Sequence, residues 1–217
     1  MIRTRFLAFA YPGAAPLRFE DVDVPQGGTL LLQGRSGTGK STWLSLVAAL
    51  RVPSQGDLVV AGQDLRALPA LRRDQWRGRH VGFLPQKLHL SEALTVAGNL
   101  DLVFFAAGLP RQPQRTAQAL EALGIAALAR RRPSQLSGGE AQRAALARAV
   151  LLSPRVILAD EPTASLDDEA AAAAIALLRE AAERCGATLV IATHDRRVRD
   201  ALPQAQQLRL DEARAVA

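Results

Sequence analysis

Four stretches of this 217-residue sequence have residue types and spacing suited to handling a phosphate anhydride. The first is Gly34-Arg35-Ser36-Gly37-Thr38-Gly39-Lys40-Ser41-Thr42, which reads G-x-x-x-x-G-K-S-T. Its glycines let the backbone approach phosphate and turn successive N–H groups inward as an anion-binding nest. In such a loop Lys40 reaches the β- and γ-phosphates, and the Ser41 hydroxyl ligates Mg²⁺. The second is Asp160-Glu161, at the end of the apolar run Val156-Ile157-Leu158-Ala159. An apolar strand ending in an acid is the complementary half of a phosphate loop: Asp160 suits the Mg²⁺ shell. Glu161, one residue further out, could polarise a water for attack on the γ-phosphate. The third is His194, just past the apolar run Thr188–Ala192, placed to reach the γ-phosphate from the same strand ends.

The fourth is Leu136-Ser137-Gly138-Gly139-Glu140, ahead of a helical segment from Ala141 to Leu151. Ser137 is a good N-cap, and Glu140 stands three residues later as in a capping box. Capping alone does not require two glycines. A Ser-Gly-Gly helix start also offers bare N–H groups to an anion. Two further residues stay open on their own chemistry. Gln86, at the mouth of a short strand, reads as a solvated loop residue unless its context promotes it. Tyr11 reads as core more readily than as a base-stacking ring.

The elements that must position these groups follow from the pattern. Leu30, Leu31 and Leu32 form a buried strand entering the phosphate loop, and Lys40 to Leu50 forms the helix leaving it. Residues 3–10 and Leu17 to Val24 read as two strands. Pro53–Asp57 reads as a turn before a strand at Leu58–Ala61, and Gly62-Gln63-Asp64 ends that strand. Arg72 to Arg79 reads as a helix and Val81–Leu84 as a strand. From Leu88 to Arg132 alanine- and leucine-rich patterning predicts about three helices, broken near Gly108-Leu109-Pro110 and Gly124. Asp168 to Arg184 is a helix. The tail from Arg196 to Ala217 reads as a basic helix and a weakly patterned end.

Hydrophobic residues make up 48%, enough for a sizeable core. No apolar run is long enough to span a bilayer, and the N-terminus has no signal-peptide pattern. Both favour a cytoplasmic chain. Cys185 stands alone, so neither an intramolecular disulfide nor a cysteine metal cluster is expected. The net charge of +6 comes almost wholly from dispersed arginines. That suits nucleic acid, an anionic membrane face, or neither.

Taken together these motifs resemble the nucleotide-binding domain of ATP-binding cassette (ABC) proteins, over essentially the whole chain. The Leu136–Glu140 signature separates that family from other P-loop ATPases. The resemblance implies an α/β P-loop NTPase fold with an N-terminal antiparallel β subdomain and an inserted helical subdomain. It implies one domain over 1–217, with 1–87 and 133–217 as core and 88–132 as insertion. It implies that Gln86 touches Mg²⁺ or water and faces the membrane partner. It assigns Asp167 to the family's D-loop and His194 to its switch histidine, and it moves Tyr11 from core to adenine stacking.

The cofactors implied are ATP and Mg²⁺. The assembly implied is a head-to-tail homodimer. Each site would take Gly34, Ser36, Gly37, Thr38, Gly39, Lys40, Ser41, Thr42, Asp160, Glu161 and His194 from one chain. The other chain would give Ser137, Gly138, Gly139 and Glu140. No site position is degenerate, which suits two active sites. Glu140 stands where glutamine is commoner, and Trp43 where leucine is usual. The leading expectation is the ATP-hydrolysing subunit of a transporter with a separate permease, on the cytoplasmic face of the inner membrane. The compact length resembles the lipoprotein-releasing, macrolide-efflux and cell-division subgroup, where ATP can drive mechanical work without transport. The alternatives are an ABC ATPase of DNA repair or translation and a module that binds ATP without hydrolysing it. No nucleic-acid partner is expected.

Overall fold

The computed structural model describes residues 1–164 and 166–210. Among the described residues ten strands and seven α-helices follow in chain order. The strands are β1 (Ile2–Phe9), β2 (Leu17–Arg18), β3 (Asp23–Val24), β4 (Thr29–Gln33), β5 (Gln55–Val60), β6 (Gln63–Asp64), β7 (Val81–Leu84), β8 (Val156–Asp160), β9 (Thr188–Ala192) and β10 (Gln206–Arg209). The helices are α1 (Lys40–Val47), α2 (Ala70–His80), α3 (Val96–Ala106), α4 (Pro113–Ala122), α5 (Gly138–Val150), α6 (Asp168–Cys185) and α7 (Arg196–Ala201).

Two sheets result. An all-parallel sheet runs in the order β10-β4-β9-β8-β7. An antiparallel sheet runs β2-β1-β5-β6, with β3 also on β1. The central strands β4, β8 and β9 are apolar through their middles because the sheet is covered on both faces there. Alternate residues of each strand enter different cores. Leu30, Leu32, Val156, Leu158, Val190 and Ala192 face Trp43, Leu44 and the antiparallel sheet. Leu31, Ile157, Ala159, Leu189 and Ile191 face α3, α5 and α6. Each such fully buried leucine or isoleucine contributes about 1.5–3 kcal/mol. Trp43, on the inner face of α1, is fully buried, and its indole N–H has no hydrogen-bond partner.

Several sequence expectations need correction. Leu17–Val24 is two short pairings rather than one strand, because the Asp21 carboxylate turns in to accept the Phe6 N–H at 2.6 Å. The strand expected at Leu58 begins at Gln55, since Gly56 sits at a bulge against β1. Gln63-Asp64 does not end that strand but pairs back on it. Helix α1 stops at Val47, three residues early, where Ala49 turns to φ 54°.

The region expected to hold three helices holds two α-helices and one 3₁₀ turn at Ala126–Leu128. Residues 88–95 stay irregular because Asn99, fully buried, ties them down. It accepts from Ser91 N and donates to the carbonyls of Ser91 and Thr95. The tail supplies the unexpected β10, which extends the parallel sheet beside β4. Ser165 and the chain end at 211–217, part of the weakly patterned tail, lie outside the described residues.

Among the described residues no helix is long and apolar enough to cross a membrane. Several arginines have structural work. Arg73, Arg79, Arg115, Arg143, Arg148 and Arg184 each donate to backbone carbonyls of loops or neighbouring helix ends. That use of charge satisfies orphan carbonyls at helix termini and in loops.

Candidate functional site

Strands β4, β8 and β9 are parallel neighbours, so their carboxyl ends open on one side, where such sheets place ligands. The phosphate loop, Asp160-Glu161 and His194 therefore converge. A cleft of ≈ 450 Å³ there is lined by Tyr11, Lys40, Ser41, Gln86, Asp160 and Glu161, among others.

The loop from Gly34 to Gly39 is shaped by its glycines. A Cβ on Gly34 would lie 2.5 Å from Thr38 Oγ1 and 2.6 Å from the Leu210 carbonyl. Gly39 caps α1 at φ 99° with no side-chain hydrogen bond to the first turn, which leaves those N–H groups free for an anion. Lys40 is buried and points back across the loop. Its ammonium donates to Gly34 O (2.8 Å) and Arg35 O (3.1 Å) and lies 3.5 Å from Glu161 Oε1.

Ser41 Oγ donates to Asp160 Oδ2 at 3.0 Å, so the two candidate metal ligands are adjacent. Burial pushes the Asp160 carboxyl up from its ordinary value, against the Ser41 hydrogen bond, and the neighbouring Glu161 adds to the rise. Such a site gains from a cation. Among the described residues no cluster of three or more His, Cys, Asp or Glu side chains could hold a metal. A hydroxyl and a carboxylate suit Mg²⁺, which keeps several waters and takes phosphate oxygens alongside one or two protein ligands.

Glu161 has φ 47°, a left-handed backbone uncommon outside glycine. The structure over-determines it. Its N–H continues the β8–β9 ladder to Ala192 O at 2.8 Å. Its Oε1 meets His194 Nδ1 at 2.9 Å, and its Oε2 accepts from Thr193 Oγ1 at 3.1 Å. Backbone strain held this firmly concentrates at functional positions. The arrangement aims a carboxylate, flanked by an ammonium and an imidazole, into the cleft.

Tyr11 is 37% exposed and lines the cleft, which excludes it from the core. Its hydroxyl lies 2.9 Å from Thr42 Oγ1. The helix start at Ser137 is elsewhere: Ser137, Gly138, Gly139 and Glu140 do not line the cleft. The expected capping box is present. Ser137 accepts from Glu140 N at 3.3 Å, and Glu140 Oε2 accepts from Ser137 N at 2.7 Å. Those bonds, the Ser137 N–H first, hold the Glu140 carboxyl below its usual range. Gly138 and Gly139 have ordinary φ, and a Cβ on either would meet nothing within 4 Å. Neither the backbone nor the packing of this chain calls for glycine there.

Three linking residues escaped sequence reading. Thr193 positions Glu161. Gln142 of α5 donates to Pro162 O at 2.9 Å, joining the Ser137 helix to the loop after the acids. Arg197 bridges Asp195, Asp168 and Leu166 O, and Thr163 donates to Asp195. Arg197 thereby holds the Asp195 carboxyl well below the usual carboxylate range. This ties the His194 segment to the segment carrying Asp167, itself the N-cap of α6. Only the Thr-His-Asp sequence around His194 hinted at any of this.

Known proteins share the sequence pattern and the fold. The family model described as "ABC transporter" matches residues 18–164. A lipoprotein-releasing system ATP-binding protein of Oleidesulfovibrio alaskensis is 38% identical over 194 residues, 88% of this chain and 84% of the relative. The dimeric structure of MJ0796, a bacterial ABC transporter cassette, superposes with a TM-score of 0.83 at 29% identity, covering 98% of this chain and 95% of the other. A dimeric post-hydrolysis state of that ATP-binding cassette, bound to ADP and Pi, gives 0.79 at 28%, covering 91% and 90%.

Proposed function

The chain belongs to the ABC transporter family, as an ATP-hydrolysing subunit, and on that premise we propose that two copies close head to tail around two ATP molecules to drive a separate membrane permease. The observation that carries this is the division of the site. The phosphate loop and the Ser137 helix start are both anion-binding, and one chain does not bring them together. Gly138 and Gly139 stay bare with open space above them. That is what a second chain's triphosphate needs for close approach to the helix N–H groups.

Within each site the loop N–H groups and Lys40 hold the phosphates, and the adenine stacks on Tyr11. Ser41 and Asp160, with Gln86 lining the same cleft, would hold Mg²⁺, which would supply neutralisation of the phosphate charge. Glu161 accepts a proton from water as the water oxygen attacks the γ-phosphorus. The bond to the β-phosphate oxygen breaks in line, and ADP and phosphate leave. Lys40 and His194 stabilise the charge that develops on the transferring group. Thr193 keeps the Glu161 carboxylate aimed.

The chain works on the cytoplasmic face of the inner membrane. Lipoprotein release or a related mechanical task is its role, by similarity to the relative above. Large apolar side chains support a docking face on the helices that follow the phosphate loop: Leu71 of α2 is 94% exposed and Phe105 of α3 is 86% exposed. Exposed apolar groups of this kind mark partner surfaces. Helices α2 and α3 pack closely, since a Cβ on Gly78 would come within 3.0 Å of Ala107. Phe105→Glu is expected to leave ATP hydrolysis by the isolated chain within about twofold, because surface changes away from the site perturb little. The same variant should abolish co-purification with a permease from detergent-solubilised membranes. Undiminished recovery would remove α3 from the docking face.

A further inference from the structure

We propose that Arg51 is a positioning residue for the adenine platform, clamping Tyr11 from the ring face turned away from the cleft. The Arg51 guanidinium lies over the Tyr11 ring at 4.8 Å from its centroid. It also lies over Phe9 at 5.3 Å. Phe9 meets Tyr11 edge-on, with centroids 4.9 Å apart and planes at 86°. The cation thus sits in a corner made by two perpendicular rings. Among the described residues no carboxylate pairs with it. Tyr11 lines the cleft and Arg51 does not, so one face of the ring is covered and the other is offered to a ligand.

Both grips on Tyr11 come from α1 and the turn that follows it. Thr42, in the first turn of α1, holds the phenol oxygen. Arg51 leaves just beyond the other end, where the N–H groups of Leu50 and Arg51 both donate to Ser45 O. Helix α1 is also the helix whose N-terminus faces the phosphates. The distance between the base platform and the phosphate cradle is therefore fixed by a rigid element. A ring 37% exposed would otherwise sample other rotamers, and fixing it in advance lowers the entropy lost on binding. The covering cation also draws π density toward its own side, which favours an electron-rich purine on the open face.

The inference rests on the reading of Tyr11 as the surface that takes the base. The test is titration of the full chain with Mg²⁺-ATP and with inorganic tripolyphosphate, which has the charge but no base. Arg51→Met is expected to weaken ATP about two- to fivefold, the range an exposed cation–π contact supports. It should leave tripolyphosphate unchanged. Arg51→Lys should restore most of the loss, and in a Tyr11→Ala background Arg51→Met should cost nothing more. Three results overturn the assignment: unchanged ATP affinity in Arg51→Met, equal losses for ATP and tripolyphosphate, or the same loss with Tyr11 absent. The Tyr11→Ala chain separates the two readings. If it weakens ATP alone while Arg51→Met does nothing, only the role of Arg51 falls. If it binds ATP like the parent, the platform falls and Arg51 with it.

Discussion

Glu161→Gln is expected to slow ATP hydrolysis by a factor of about 10²–10⁴, the contribution of a positioned general base, while ATP binding persists. Glutamine has the shape of glutamate, and its carbonyl oxygen can still accept from Thr193 Oγ1, as Glu161 Oε2 does. It cannot take a proton from water at neutral pH. The substitution also removes a negative charge 3.5 Å from Lys40, so a triphosphate meets less repulsion and a freer ammonium. ATP should then stay intact in the site and hold two chains together. Single-turnover phosphate release and equilibrium ATP binding check both halves. Parent-like hydrolysis would mean that another group activates the water.

Lys40→Ala is the second large effect, acting on binding rather than chemistry. The ammonium bonds two loop carbonyls and sits beside Glu161. It is the buried cation of the cleft. Charge-assisted hydrogen bonds to a phosphate contribute about 1.5–3 kcal/mol each. Losing two of them corresponds to a drop in ATP affinity of a hundredfold or more. Glu161 and Asp160 would then face the triphosphate with less opposing charge. Lys40→Met, which keeps the apolar stem, guards against a folding defect and should lose affinity equally. Unchanged affinity in both variants would take the phosphate loop out of the mechanism.

Much of this was legible in the sequence where local chemistry dominates. Leu30–Leu32, Val156–Ala159 and Thr188–Ala192 are continuous apolar runs because both sheet faces are covered, and each delivers a functional group at its carboxyl end. The Ser137 cap and Glu140 are a local pair, readable at three-residue spacing. What stayed hidden depends on distant partners. Strand β10 reads Gln-Gln-Leu-Arg, with only Leu208 buried, because it is the edge of the sheet and β4 fixes its register. The irregular path through 88–95 follows from Asn99, which looks helical and polar in the sequence yet is fully buried. Arg51 carries no signal at all. It is one arginine among many until the turn after α1 brings it over Tyr11.

In the dimer the Ser137 helix start of one chain is proposed to complete the phosphate loop of the other. Sedimentation of the Glu161→Gln chain with Mg²⁺-ATP, with and without Gly138→Trp, tests it most directly. A Cβ at Gly138 meets open space, so the bulky residue should leave the monomer folded and its ATP affinity unchanged. Glu161→Gln alone should form a dimer holding two ATP, and adding Gly138→Trp should leave an ATP-bound monomer. A dimer that persists undiminished with Gly138→Trp, or no ATP-dependent dimer in either chain, would contradict that proposal.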